Sequence, residues 1–260
     1  MLTFFKKWSI FLKVFTLQWC PPSKVSTLYA IYRFVLAAVL VGAYATLVIW
    51  KLIESQFQIF IYLTNLSYLL LVLHFTIEAF LVTKRWVTEK TATNPLLVYH
   101  KNASLDCIYK VSWILQSMAF SSSLIVSIMY GFFVHPIWIQ RGFLQDLTMR
   151  HAYLFGHIIN SLICIVDIFI SNRPWKFVHF IWPLIFGIAY VILTLFCWKM
   201  GVETIYDKIL DWHHEPCKAI ATISILIISL PLIHLFWMGL AKLRRRIYQK
   251  FQERKTHPTS

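Results

Sequence analysis

Long apolar segments alternate with short polar stretches along the chain. Six of these segments are 22 to 26 residues long, and about 20 apolar residues are enough for a helix to cross a bilayer. No strand-like alternation recurs, so the pattern disfavours a membrane β-barrel. We therefore predict an all-α membrane protein, a bundle of six transmembrane helices. The predicted spans are Leu28–Leu52, Gln58–Thr83, Val111–Val134, Arg150–Ser171, Phe177–Trp198 and Ala219–Leu240.

The two ends of the chain differ from the predicted six-span domain of residues 28–240. Residues 1–20 place apolar side chains on one helical face and three lysines on the other, which is typical of an amphipathic helix lying on the cytoplasmic membrane surface. The lysines also interrupt the apolar core that a cleavable signal peptide needs. Residues 241–260 carry seven Lys and Arg residues and predict a basic cytoplasmic tail.

Composition supports a membrane protein, because 58% of the residues are hydrophobic and only 14% are charged. The net charge of +14 does not indicate nucleic-acid binding, since the basic residues lie at span ends, where they suit anionic lipid headgroups. Outside the spans or at their outer ends, 18 Lys and Arg residues fall on the N-terminal side of the membrane and 6 on the other side. The positive-inside rule then places both termini in the cytoplasm. Membrane lipids are the expected partners; the plasma membrane and the endoplasmic reticulum both remain open, as does the oligomeric state.

The cysteines and histidines form no recognisable metal or cofactor motif. The five cysteines lack CxxC spacing, and Cys197 and Cys217 flank one predicted outer loop, where a disulfide and two unpaired thiols both remain open. In that loop His213 and His214 are adjacent, so their side chains point apart, and no second cluster completes a site. We predict no metal ion and no cofactor.

The fourth predicted span carries an unusual polar stripe. His157, Asn160, Ser161 and Cys164 follow the i, i+3, i+4, i+7 spacing of one helical face, and Asp167 lies at its edge. A charged or polar group in hydrocarbon costs about 3 kcal/mol unless it faces the interior of a bundle. The stripe therefore predicts polar partners on other helices.

Depth in the membrane suggests those partners. Thr64 and His157 lie six or seven residues into the second and fourth spans, which run in the same direction. At 1.5 Å per residue both side chains lie about 10 Å below the outer edge. Ten residues further in, His74 and Asp167 are also level. If the two helices are neighbours, each level brings two polar groups together.

A third level lies near the cytoplasmic side. Arg33 of the first span and Glu78 of the second are at similar depth and of opposite charge. We predict a structural ion pair between them, because pairing makes such charges tolerable in the membrane. A proton relay is the functional alternative.

Thr64 and His157 have the residue types of a nucleophile and its base. A hydroxyl attacks only if a neighbouring base takes its proton, and a neutral histidine suits that role. Asn65, Asn160 and Ser161 are the candidate supporting residues, which would orient the histidine or donate to an oxyanion. From the residues alone, helix–helix hydrogen bonding explains the pair as well, and ligand binding or transport is also open.

Five short motifs occur in a fixed order between Ile59 and Trp212. They are Tyr62-Leu-Thr-Asn65, His157-x-x-Asn160-Ser161 with Asp167, Pro183 followed by Tyr190, Trp198-x-x-Gly201, and Ile205-Tyr206 to Asp211-Trp212. In order and spacing they resemble the rolling stone family of animal membrane proteins. Leu66 and Asp207 depart from that family's pattern, which favours Trp and Pro at these positions, so the chain resembles a diverged member.

The resemblance implies two different functions. The rolling stone namesake is implicated in myoblast fusion, so a non-enzymatic membrane factor in cell fusion or scaffolding is one expectation, and it implies no chemistry. More distantly, the six-span layout resembles the androgen-induced membrane hydrolases, which cleave fatty acid esters of hydroxy fatty acids with a Thr and a His in the second and fourth spans. Thr64 and His157, 93 residues apart, match those positions. The second expectation is therefore an intramembrane threonine hydrolase with a lipid ester substrate.

Overall fold

A computed structural model describes residues 25–54, 57–91, 106–140, 142, 147–202, 206 and 209–256. The interfacial helix predicted at residues 1–20 lies outside this described part of the chain. Within the described residues the structure consists of helices and their connections, without a β-sheet.

Seven α-helices make up the described fold. They are α1 (Thr27–Ile53), α2 (Leu63–Thr91), α3 (Asp106–Met129), α4 (His135–Gln140), α5 (Leu147–Ile170), α6 (Ile181–Lys199) and α7 (Pro216–Thr256). Short 3-10 turns at Phe57–Phe60 and Phe177–Phe180 precede α2 and α6, and a π-helical turn at Tyr130–Val134 joins α3 to α4.

Five helical segments are long and apolar enough to cross a membrane, and a sixth apolar stretch, Gly156–Ile170, lies within α5. The prediction of an all-α membrane protein is therefore confirmed. Two helices continue well past the predicted ends of their spans. Helix α2 continues to Thr91, where Arg85 and Glu89 form an i, i+4 ion pair of 2.7 Å. Helix α7 continues without a break to Thr256.

The bundle has two distinguishable ends. Helix α1 begins where α2 ends: the Val25 amide donates to the Glu89 carboxylate at 2.7 Å, and the Trp86 indole donates to the Thr27 hydroxyl at 3.3 Å. We call this the basic end. The opposite end, which we call the loop end, carries the 3-10 turn before α2 and the connection of residues 201–215.

Helix α3 lies at the centre of the bundle and packs against α2, α5, α6 and α7, whereas α2 and α5 touch each other only slightly. The core is aromatic around α3. The ring of Phe120 lies 6.5 Å from Phe75, 5.7 Å from Trp175 and 5.6 Å from Trp237. The core therefore separates the second and fourth predicted spans over most of their length.

Serines bring α3 and α5 close together. The Ser127 hydroxyl donates to the backbone carbonyl of His157 at 2.7 Å, and the Ser161 hydroxyl donates to the carbonyl of Ser123 at 2.9 Å. The hydroxyls of Ser127 and Ser161 are 2.6 Å apart. Small hydroxyl residues of this kind allow close approach and hydrogen bonding between helices in a membrane.

The predicted ion pair between Arg33 and Glu78 was wrong. Arg33 pairs with Asp167 of α5 at 2.6 Å, and both side chains are completely buried. Glu78 instead pairs with Arg173, which follows α5. The comparison of depths considered only the first and second spans. The actual partners come from α5, which contributes the Asp167 carboxylate, and from the segment after it, which contributes the Arg173 guanidinium. The guanidinium carbon of Arg33 also lies 5.7 Å from the ring centroid of Phe75, which precedes Glu78 by about one turn on α2.

Arg244 joins the predicted tail to the interior of the bundle. Its guanidinium donates to the carbonyls of Ile168 at 2.9 Å and Arg173 at 3.4 Å, and also to that of Ser171. These groups lie at the carboxyl end of α5, where unsatisfied carbonyls carry partial negative charge. Together the charged side chains of this end form what we call the basic-end network, composed of Arg33, Asp167, Glu78, Arg173 and Arg244.

Candidate functional site

A cavity of about 580 Å³ opens between the helices at the loop end. Most of its wall is apolar, with leucine, isoleucine and valine side chains from α1, α2, α3, α6 and α7. Its volume falls within the range of about 300–1,000 Å³ typical of sites for small ligands. The polar side chains on the wall are Lys51, Tyr62, Thr64, Asn65, Tyr68, Ser122, Tyr130, His157, Tyr190 and Tyr206.

Thr64 reaches the cavity because α2 begins directly before it. The carbonyl of Tyr62 accepts hydrogen bonds from the amides of Asn65 and Leu66 at 3.1 Å each, which starts the helix. The side-chain amide of Asn65 donates to the carbonyl of Ile59 at 2.9 Å and so ties the preceding 3-10 turn to the helix. Thr64 therefore lies in the first turn of α2, facing the apolar cavity.

His157 reaches the same cavity from α5. Its ring stacks on Tyr130, with centroids 3.9 Å apart and an interplanar angle of 12°. Tyr130 begins the π-helical turn after α3, and its hydroxyl lies 3.1 Å from Nδ1 of His135. Turns of this type occur often at functional sites. The sequence signal for it is Pro136, because a proline lacks the amide that regular helical bonding needs.

Two tyrosines complete the polar side of the cavity beside Thr64. The hydroxyl of Tyr206 interacts with the side chains of Thr64 and Tyr190 and with the backbone of Leu63. The ring of Tyr206 packs edge-on against Tyr62 at 5.9 Å. Burial raises the pKa of Tyr206 to about 12, so this phenol keeps its proton at neutral pH. Sequence reasoning assigned no role to either tyrosine, although both belong to the motifs of the family resemblance.

The structure thus brings Thr64 and His157 to one cavity. Asn65 also lines it, but its side-chain amide is committed to the turn. The other two predicted supporting residues lie deeper. Asn160 donates to the carbonyl of Gly156 at 3.4 Å, and Ser161 belongs to the serine contact with α3. Neither is among the lining residues of the cavity.

The four polar residues predicted to be structural lie away from this cavity. Arg33, Asp167 and Glu78 belong to the basic-end network. His74 is completely buried in the aromatic core, with its ring centroid 5.5 Å from that of Phe120. Neither ring nitrogen of His74 has a hydrogen-bond partner among the residues that the structure describes.

Asp211 stabilises a turn in the connection after α6. One carboxylate oxygen of Asp211 accepts from the amides of His213 at 2.9 Å and His214 at 3.0 Å, and the other lies 2.9 Å from Nδ1 of His214. The amide of His214, together with its ring and the amide of His213, lowers the pKa of Asp211. Over the described ranges no three His, Cys, Asp or Glu residues are arranged to hold a metal ion. Cys197 and Cys217 are free thiols.

Trp212 anchors the same connection to the bundle. Its indole donates to the hydroxyl of Thr194 on α6 at 3.4 Å. Gly201 ends α6 with φ of 75°, a left-handed conformation that glycine adopts at low cost. These motif residues therefore shape the connection that holds Tyr206 against Thr64.

The sequence model of the family described as Protein rolling stone matches residues 4–256. The chain belongs to the rolling stone family. Drosophila melanogaster Protein rolling stone is 26% identical over 245 residues, which cover 90% of this chain and 84% of the relative. No solved structure matches the chain. The resemblance found from the motifs is therefore confirmed, and it extends on both sides of the region that the motifs span.

The family motifs converge in space in this rolling stone protein. Tyr62, Thr64, His157, Tyr190 and Tyr206 come from four separate parts of the chain and all line the loop-end cavity. Four of the five motifs therefore contribute side chains to one concave site, whereas Asn160, Ser161 and Asp167 of the same motifs lie elsewhere in the bundle.

Proposed function

We propose that this rolling stone protein is an intramembrane hydrolase of lipid esters, in which Thr64 is the nucleophile and His157 the general base. The observation that supports this most is that both side chains line one apolar cavity although α2 and α5 barely touch. A hydroxyl and an imidazole that only joined helices would lie in a helix–helix contact, as Ser127 and Ser161 do.

The proposal includes six transmembrane spans with both termini in the cytoplasm. The excess of basic residues on one side of the predicted spans supports this orientation. The loop-end cavity would then lie at the depth of the outer leaflet. A lipid ester would enter laterally between the helices, with its acyl chain against the apolar wall and its ester group near Thr64.

The chemistry would proceed through an acyl-threonine. His157 takes the proton of the Thr64 hydroxyl while the oxygen bonds to the ester carbonyl carbon and an electron pair moves onto the carbonyl oxygen. When that pair returns, the bond to the alkoxy oxygen breaks, and the leaving alcohol takes the proton from His157. Water then attacks the acyl-threonine, with His157 again as base. Release of the Thr64 oxygen, which takes back the proton, yields a free fatty acid.

The test uses the full-length protein purified into lipid nanodiscs. We expect it to hydrolyse 4-nitrophenyl esters of long-chain fatty acids and to label with an alkyl fluorophosphonate. Both activities should disappear in Thr64→Ala and in His157→Ala. Thr76→Ala is the matched control, because Thr76 lies exposed on the same helix and should retain full activity. Absent hydrolysis by the wild type, or hydrolysis and labelling that survive both substitutions, would refute the proposal.

A non-enzymatic factor in cell fusion or scaffolding is the alternative. The contacts of Asn160 and Ser161 favour this alternative. Both side chains make hydrogen bonds within or between helices, and neither reaches the cavity. On this alternative, Thr64→Val retains normal function in a myoblast fusion assay at wild-type expression. A complete loss of fusion at unchanged expression and folding would argue against it.

A further inference from the structure

The wall of the loop-end cavity contains a buried hydroxyl group that makes no well-formed hydrogen bond to any described residue. Tyr190 of α6 is only 9% exposed and lines the cavity. Its hydroxyl lies near that of Tyr206 and the backbone of Leu63, but it makes no well-formed hydrogen bond to any residue in the described part of the chain. A buried hydroxyl without a hydrogen-bond partner destabilises a protein. Such a group at a cavity wall indicates a ligand atom that accepts its hydrogen bond.

The start of α2 provides a second feature at the same place. Leu63 is the first residue of a 29-residue helix. The amide groups of a first helical turn have no intrahelical acceptor, and the helix dipole is positive there. The backbone of Leu63 lies near both tyrosine hydroxyls. Two phenols and a helix start thus lie close together beside Thr64.

The arrangement matches what an acyl transfer needs at the carbonyl oxygen. When a nucleophile adds to an ester, the carbonyl oxygen becomes negatively charged, and fixed donors in a site without water stabilise it strongly. Helix starts commonly bind such negative charge. The side-chain amide of Asn65 instead donates to the carbonyl of Ile59 and is held toward the preceding turn.

We propose that the hydroxyls of Tyr190 and Tyr206, with the Leu63 amide, form the oxyanion site that binds the acyl carbonyl oxygen of the substrate. This inference rests on the proposed hydrolase function. The phenols donate hydrogen bonds and transfer no proton; the proton of Thr64 still goes to His157. The raised pKa of Tyr206 agrees with a donor that stays protonated through the reaction.

The proposal also narrows the substrate class. The oxyanion site lies at one side of a cavity whose wall is mostly apolar. The reacting group must therefore be an ester whose acyl carbonyl is flanked by a hydrocarbon chain. A short, water-soluble ester would bind the donors without filling the apolar wall, so we expect kcat/KM to rise with acyl length.

The experiment compares Tyr190→Phe and Tyr206→Phe with the wild type in nanodiscs, using 4-nitrophenyl palmitate. Each substitution removes one hydroxyl and keeps the ring. We expect kcat to fall about 100-fold, KM to change less than about threefold, and the rate of labelling by an alkyl fluorophosphonate to fall in parallel. Tyr44→Phe is the matched control, since Tyr44 of α1 is not among the residues that line the cavity and its ring packs edge-on against Tyr68 at 5.4 Å. The control should stay within about threefold of wild type in kcat.

The outcomes separate this inference from the function on which it rests. If Thr64→Ala is inactive but both tyrosine variants keep kcat within about threefold, the oxyanion site is refuted and the hydrolase stands. If the wild type hydrolyses no long-chain ester, both are refuted. A fall in kcat accompanied by a lower unfolding temperature and a matching rise in KM would identify a structural role instead, and would also overturn the inference.

Discussion

Arg33 of α1 and Asp167 of α5 form a completely buried ion pair of 2.6 Å. The pair joins the first helix of the described chain to a helix more than one hundred residues later. Removing one partner leaves a buried charge uncompensated, whereas removing both does not. The pair therefore allows a direct test of how the bundle is held together at its basic end.

We expect Arg33→Met and Asp167→Asn each to lower the free energy of unfolding by about 3–5 kcal/mol. The double variant Arg33→Met/Asp167→Asn should lose clearly less than the sum of the two. The measurement is SDS-induced unfolding in mixed micelles, analysed as a double-mutant cycle. The pair Arg33 and Glu78 is the comparison: strong coupling there, and none between Arg33 and Asp167, would contradict the observed pairing.

Arg244 should matter for stability although it lies in a basic sequence typical of an exposed tail. Its side chain is 1% exposed and binds carbonyls at the end of α5. We expect Arg244→Ala to cost about 2 kcal/mol, since hydrogen bonds from a charged donor contribute about that much. Arg245→Ala is the matched control, because Arg245 is exposed on the same helix. Equal unfolding curves for the two variants would show that the contact contributes nothing.

Tyr130 should position His157 through its ring rather than its hydroxyl. The two rings stack at 3.9 Å. If the protein hydrolyses esters, Tyr130→Phe should keep kcat within about tenfold, whereas Tyr130→Ala should lower it about 100-fold, because small displacements of a catalytic group have effects of that size. Steady-state kinetics of ester hydrolysis measure both. An unchanged kcat in Tyr130→Ala would show that the ring stack does not position His157 for catalysis.

Asp211 should order the connection after α6 in a pH-dependent way. The amides of His214 and His213 lower the pKa of Asp211. Its contribution to the stability of this connection is therefore fully present above the unfolded pKa, near 3.9. It is lost as the pH falls through the still lower folded value. Hydrogen–deuterium exchange of residues 209–214 should be faster in Asp211→Ala than in the wild type at pH 7. Near pH 3 the exchange rates of the two proteins should become similar.

The helical architecture could be predicted from the sequence, because hydropathy over about 20 residues is a local property. Helix α1 agrees with the predicted first span to within one residue at each end. The end of α2 was missed because its last turns are polar and are stabilised by the ion pair of Arg85 and Glu89, which a hydropathy pattern does not register.

The candidate site was predicted only in part. The number of residues from the start of each predicted span placed Thr64 and His157 at a similar depth in the membrane, and both line one cavity. This comparison of depths could not find Tyr206, whose position depends on how the connection after α6 folds back on α2. Nor could it find the stack of His157 on Tyr130, which requires the rotation of α5 relative to α3.

The sequence by itself determined the class of protein, the family, and most of the residues that carry polarity inside the membrane. Only the tertiary structure decided which of these residues meet. Composition and spacing constrain each helix separately, whereas the partner of Arg33 and the group around Thr64 depend on helix rotation, order and packing. Those properties arise from contacts between distant segments, which no single stretch of sequence contains.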